Sequence, residues 1–426
     1  NIQHTTYNIQ HTTYNIQHMT NDFLTKWIGF WVFLFSVSVL SLPGHGGHSV
    51  IVLLFTMLYV AIGKRSNRQE FSLNKEERFF IYLVLVWFGW QLFGVFYQPL
   101  DYEFENAKAQ LRVLDDMSRW LLLLPIFFLF RRYFVDWRHL AIGLSVGVLI
   151  SVAIAHYEVY FLHIERGEGG SSHPITFANL MVVSDLLLWM FMIHAWNKGY
   201  KFFSYFLLFA SVVAFYGSLL SVTRGAWLAY IFMILIWTIY VIKNSLTDKK
   251  HLLSKPILLR LLLAGVVFFA VSQTEQYQTI KQRTQQTVNA ISNGHYQRAS
   301  SNRLVIFQNS FNQIKKNPFG IGTHNFKKIE QSKYPEGYPF NAHNQLLNVW
   351  VENGIQGAVS LLLLIGYLIR FFWKNLNHNN DLVSIYASSG LMLITSYIIF
   401  AQSQVIFDHH QTLIFFIFYL YFFFAQ

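Results

Sequence analysis

The chain has no cysteine, which excludes disulfides, thiolate nucleophiles and Cys-ligated zinc, and which fits loops in an oxidising compartment. Charge is also scarce: Asp, Glu, Lys and Arg make up only 12% of 426 residues, against 54% hydrophobic residues. A soluble domain of this size does not look like this. No cleavable signal peptide is evident, so the first apolar helix is expected to stay as an anchor. Few charges fall inside the apolar runs, Asp185 and Glu158 being the nearest cases, and no inverted repeat stands out. Both absences count against a transporter or flippase, which needs central charges or repeated halves.

What is present is a succession of long apolar runs, as a polytopic helical membrane protein requires. Helices are expected near 27–42, 49–63, 79–98, 107–130, 139–162, 175–196, 202–222, 226–242, 257–272, 345–373, 382–404 and 412–425. The fold class is therefore all-α and polytopic, with about twelve spans: nine within 19–272, a long polar loop over 273–343, and three more within 344–426. Asn1 to Tyr7 is repeated at Asn8 to Tyr14 and begins again at Asn15, so residues 1–18 read as a repeat- or tag-like tail outside the fold.

Basic residues set the orientation. With a cytoplasmic N-terminus, eighteen Lys/Arg fall on the inside, Arg260 among them, and only Lys108, Arg112, Arg119, Arg166 and Arg224 in the short outside loops. The 273–343 loop is then outside, and it holds nine Lys/Arg against three acids, Glu275, Glu330 and Glu336. Such a bias suits anionic headgroups or an anionic substrate. Nucleic acid is not expected, because no basic-aromatic module is present.

Ser301 to Gly357 is the most informative stretch. Ser300 or Ser301 suits an N-cap, and Leu304, Phe307, Phe311 and Ile314 recur at helical spacing until Asn317-Pro318 stops the helix. Arg303 sits in that helix's first turn, where the dipole disfavours a cation unless an anion binds there; a plain surface arginine is the alternative. Gly320-Ile321-Gly322 forms a turn, and His343-Asn344 leads into the next apolar helix. A histidine at such a junction is either a cap or packing residue, or a catalytic one. Arg224 lies in a turn of about three residues between apolar helices, so it either snorkels or has an anionic partner. An arginine fork suits phosphate oxygens because it donates two parallel hydrogen bonds.

Other groups carry less chemistry. Asp101-Tyr102-Glu103 is a possible acidic metal pair but reads more simply as a solvated loop. Asp408-His409-His410 lacks a third metal ligand at familiar spacing, which favours structure or substrate contact. His45-Gly46-Gly47-His48 is a tight loop.

Arg303-Leu304-x-x-Phe307, the Asn317-Pro318-x-Gly320-x-Gly322-x-x-Asn325-Phe326 turn and His343-Asn344-x9-Gly354-x-x-Gly357 resemble the O-antigen ligase and polymerase superfamily. The histidine pattern resembles the ligase signature in particular. Ser221 to Ala226 around Arg224 is similar to the family's arginine turn, and Asp116, Ser118, Arg119 and Trp120 before a proline-containing helix also match in kind. The resemblance runs from Met19 to Gln426 and implies a GT-C-like, multi-pass enzyme of the bacterial inner membrane with its site facing the periplasm. Its implied reaction moves a glycan from undecaprenyl diphosphate to a sugar hydroxyl of lipid A-core, without cofactor or metal. His343 is then the base or acceptor-orienting group. Arg224, Arg303 and Arg119 are the diphosphate ligands, with Arg166, Asn344 and Asp116 as additional site residues. The implied partners are the lipid-linked glycan, lipid A-core and membrane lipids. An O-antigen polymerase or a pilin O-oligosaccharyltransferase is the alternative.

Overall fold

A computed structural model describes residues 2–42, 44–63, 72–97, 111–245, 255–296, 303–326 and 341–426, with side chains described from Asp22 onward in the first helix and up to Ile236 in the ninth. The described residues are mostly helical and contain no strand. The helices are α1 (Ile2–Ser41), α2 (Gly47–Gly63), α3 (Lys75–Phe96), α4 (Arg119–Leu122), α5 (Leu124–Arg132), α6 (Trp137–Tyr160), α7 (Pro174–Asn197) and α8 (Lys201–Leu220). They continue as α9 (Arg224–Ser245), α10 (Lys255–Ser272), α11 (Glu275–Ser292), α12 (Arg303–Lys316), α13 (Gln345–Asn375), α14 (Asp381–Phe400) and α15 (His410–Ala425). Eight of them are long and apolar enough to cross a membrane, and three shorter apolar helices accompany them, so this is a multi-pass membrane protein.

Two helices form the centre. α7 is apolar on every side and has 94% of its most apolar window buried, against 28% for α10 at the periphery. α15 is buried at every position from Gln411 to Phe424. Helices without a polar face belong in the middle of a bundle. α7 starts on Pro174 at its first position, with the His173 side chain accepting the Ile175 N–H at 3.2 Å. α1 and α6 approach closely at Gly143 and Gly147, where an added Cβ would stand 2.5 Å from Phe33 O and 2.8 Å from Ser36 O; this is the small-x-x-x-small contact of membrane helices.

Hydrogen bonds and ion pairs gather the helix ends into two groups. One end joins the α13 start to the α14 end (Gln345 N–H to Ala401 O, 2.9 Å) and the α15 start to the α1 end (Gln411 Nε2 to Val39 O, 2.7 Å). The opposite end carries Lys198–Asp381 and the Tyr367–Glu76 contact.

Three expectations change. The helix expected over 107–130 is broken: residues 113–118 are turns, only short α4 and α5 follow, and 107–110 lie outside the described residues. Pro125 has no N–H to continue the turn before it and instead opens α5. The helix expected over 345–373 is interrupted at Gly354 (φ 72°, ψ −173°). Arg260, counted among the basic residues of the inner face, lies within α10 with only 4% of its side chain exposed, ion-paired to Asp185 of α7. Asp185 also accepts from Ser211 and from Tyr230 Oη (2.7 Å), and the guanidinium stacks 4.8 Å from the Trp189 ring centre.

Candidate active site

The interrupted helix α13 explains the glycine motifs. With Gly354 out of helical geometry, the turn around it is completed from another segment: Ile321 N–H donates to Val351 O and Gly322 N–H to Glu352 O, both at 3.0 Å, while Pro318 O accepts from Ile355 N–H at 3.1 Å. The Asn317–Gly322 turn thus supplies the bonds that the kink removes. Gly320 has φ 97°, and a Cβ there would meet Glu352 O at 2.4 Å, so only glycine fits. These glycines brace the helix that carries the histidine, a role different from touching a ligand.

His343 directly precedes that helix. Asn344 is its N-cap, accepting Leu347 N–H at 2.9 Å and donating through Nδ2 to Gln402 Oε1 at 3.3 Å. Asn341 Oδ1 accepts His343 N–H, and Asn348 Oδ1 accepts Ala342 N–H, both at 3.0 Å. Held from both sides, His343 adopts φ 51°, a left-handed conformation that a non-glycine residue occupies when surrounding contacts impose it.

Arg303 comes from α12. The buried side of α12 carries Ile306 and Ser310 with Phe307 and Ile314 partly covered, whereas Leu304 and Phe311 of the expected stripe are half exposed. Arg303 is one turn before Ile306 on this side, which packs on the start of α13 with Ala342, Leu347 and Val351. Burial and then the Arg303 charge hold His343 below the ordinary histidine value. Burial alone lowers Arg303, and no carboxylate among the described residues offsets it. Both causes acting on His343 favour the neutral imidazole, the form that can accept a proton. The N-cap expected at Ser300 or Ser301 lies outside the described residues.

Arg224 opens α9 after the Ser221-Val222-Thr223 turn. Val222 has φ 52°, costly for a β-branched residue, and Arg166 holds the turn through Nε to Ser221 O and Nη2 to Thr223 Oγ1, both at 2.9 Å. Arg166 therefore positions Arg224. Arg224 donates through Nη1 to Arg283 O and Thr287 Oγ1 of α11, each at 3.0 Å. Arg283 in turn pairs with Glu165 at 2.6 Å, and its charge together with burial lowers Arg166. Arg283 and α11 escape the sequence reading: the segment has no long apolar stripe, and its only signal is the basic excess of the loop.

Arg119 is ion-paired with Asp116. Their neighbours are His409, lowered by burial and by His173, and Asp408, pushed up to about 7 by burial and by Glu352 and Asp116. Glu158, near the end of α6, accepts from Glu168 N–H (2.6 Å) and Gly169 N–H (2.9 Å) and so organises a loop. Among the described residues no group of three or more His, Asp or Glu is placed to hold a metal ion, and Asp101 and Glu103 lie outside them.

The segment after α14 joins the two basic centres. Gln402 bonds Asn344, next to His343, and Ser403 Oγ lies 3.4 Å from where a Cβ on Gly225, next to Arg224, would be. His343, Arg303 and Arg224 therefore face one end of the bundle around residues 401–405.

A relative from Haemophilus influenzae, described as an uncharacterized protein, is 23% identical over 406 residues, covering 92% of this chain and 96% of its own. A family model described as O-Antigen ligase matches residues 209–362, a stretch that contains Arg224, Arg283, Arg303, His343, Gly354 and Gly357 but not Asp116, Arg119 or Arg166. That match supports the O-antigen ligase superfamily as the group to which this multi-pass membrane protein is similar.

Proposed function

We propose that the protein is a glycosyltransferase of the O-antigen ligase type, moving a glycan from undecaprenyl diphosphate to a sugar hydroxyl of lipid A-core at the periplasmic side of the inner membrane. The observation that carries this reading is a half-buried His343, held below the ordinary histidine value beside Arg303, with Gln402 on its neighbour Asn344 and Ser403 against Gly225, next to Arg224. In the reaction, the acceptor oxygen attacks the anomeric carbon as the carbon–oxygen bond to the diphosphate breaks, with inversion, and His343 takes the hydroxyl proton. Charge developing on the diphosphate is met by Arg303 and by Arg224, whose contacts among the described residues use Nη1 and leave Nε and Nη2 to donate. A diphosphate is a good leaving group, so neither a strong acid nor a metal is required.

Arg166 and Asn344 have positioning roles, and Arg119 with Asp116 stands beside the acceptor path. Twelve crossings in a GT-C-like arrangement, with 273–343 as the catalytic loop, fit the short α4–α5 and α15 elements as partial spans. The periplasmic placement is supported by Arg131, Arg138, Lys198, Lys201, Arg370 and Lys374 at the opposite end.

The test is transfer in vitro by purified protein from an undecaprenyl-diphosphate-linked glycan to lipid A-core, to a second glycan chain or to a pilin peptide. Product on lipid A-core that persists in EDTA is expected. Product only on the glycan or the peptide makes the protein a polymerase or an oligosaccharyltransferase. No transfer to any acceptor removes the reading, and chelator inhibition reversed by magnesium promotes Asp101 and Glu103 to ligands.

A further inference from the structure

At the end of the bundle opposite His343, the start of α3 and the last turns of α13 enclose a cleft of about 580 Å³. Its outer rim is basic: Lys75 and Arg78 come from the first turn of α3, and Arg370 from α13. One turn deeper the lining becomes aromatic, with Phe79 and Tyr82 on α3 and Tyr367 on α13. Phe79 and Tyr367 meet edge to face at 5.0 Å, while Phe79 and Tyr82 keep 47% and 60% of their surface exposed. Among the described residues Glu76 is the one carboxylate in the lining, and it is held by the Tyr367 hydroxyl at 2.7 Å and faces Lys374 at 3.6 Å. Elsewhere on this face Arg131 pairs with Glu77, Arg138 with Asp136 and Lys198 with Asp381, while Lys201 lies over the Trp196 ring.

From this arrangement we infer that the cleft binds the phosphate of an anionic membrane phospholipid. Both helices present cations outermost and aromatic rings one turn toward the bilayer centre, which is the order in which a phospholipid presents its phosphate, glycerol and acyl chains. Guanidinium groups donate to the phosphate oxygens, and the exposed rings cover the start of the acyl chains. A soluble phosphate accounts for the cations but leaves the exposed aromatic floor without an occupant. The site is remote from His343 and stands independently of the transfer reading.

The experiment uses the full chain purified in a neutral detergent, with retained lipid counted by native mass spectrometry after addition of phosphatidylglycerol, phosphatidylcholine or inorganic phosphate. Phosphatidylglycerol is expected to be retained in preference to phosphatidylcholine. Arg78→Gln with Arg370→Gln is expected to lower that retention on the order of tenfold. Tyr82→Ala should lower it as well without changing the charge. Should the double variant not be recovered folded, the two single variants take its place. Equal retention by parent and variants, or equal retention of the two lipids, overturns the inference. Arginine-dependent binding of inorganic phosphate without retention of phosphatidylglycerol overturns the lipid assignment in favour of a soluble anion.

Discussion

Two pairs of ionisable groups sit inside this apolar protein, and they are built in opposite ways. Asp185–Arg260 is saturated: the carboxylate accepts from Arg260, Ser211 and Tyr230, and the guanidinium lies over the Trp189 and Phe215 rings. Arg303 and His343 instead place a cation beside a base, with no carboxylate among the described residues offsetting either. The first arrangement satisfies its charges within the protein and ties α7, α8, α9 and α10 together. The second leaves donors and a lone pair for something else. Completeness of partnering among the described residues, rather than burial, separates the structural charge from the one proposed to be functional.

The sharpest way to break this comparison is His343→Ala, expected to remove on the order of a hundred- to ten-thousand-fold of transfer while leaving thermal stability near the parent. Near-parent turnover would mean that the incomplete partnering has no catalytic meaning. His343→Gln, which keeps hydrogen bonding without basicity, separates orientation from proton removal.

Asp185→Ala should show the opposite profile. Leaving Arg260 buried without its carboxylate is expected to cost about 3–5 kcal/mol of stability, read as a lowered melting temperature in detergent. Asp185→Leu with Arg260→Met should recover much of that loss, because an apolar pair needs no partners. A double variant with normal folding but no transfer would show that this pair too belongs to the chemistry.

Arg224→Lys and Arg303→Lys keep the charge and lose the planar fork, so each should lower turnover about tenfold with little change in melting temperature. If both behave as the parent, the diphosphate ligands lie elsewhere, and Arg119 or Arg283 is next.

The smallest effect is on the pH profile. A base must be uncharged, so activity should fall as pH drops through the His343 pKa, which burial and Arg303 hold below 6.5. Arg303→Gln removes one of those two causes, so the acid limb should move to higher pH; an unmoved limb would separate Arg303 from His343.

Much of the site is legible in sequence because isolated polar residues stand out in an apolar chain. Arg224, Arg303 and His343 are visible that way, as is the helix stop at Asn317-Pro318, since proline cannot continue an N–H ladder. Arg283 is not visible, because one cation among the many polar residues of α11 has no spacing that marks it. Arg260 was misplaced for a related reason: a positive charge near a helix end looks interfacial until the carboxylate across the bundle is seen.

By itself the sequence determined the class of molecule and singled out its candidate reactive groups, because long apolar runs demand a membrane and the chain's scarce charges need a reason to be there. Tertiary structure alone decided the rest. Gly354 reads as one more helical residue until the Pro318–Gly322 segment is seen completing its broken turn. Whether an arginine braces, as Arg166 does, or keeps its charge without a carboxylate among the described residues, as Arg303 does, depends on which carbonyls and carboxylates the fold brings to it from distant parts of the chain. Those partners are tens to hundreds of residues away, and no local pattern encodes them.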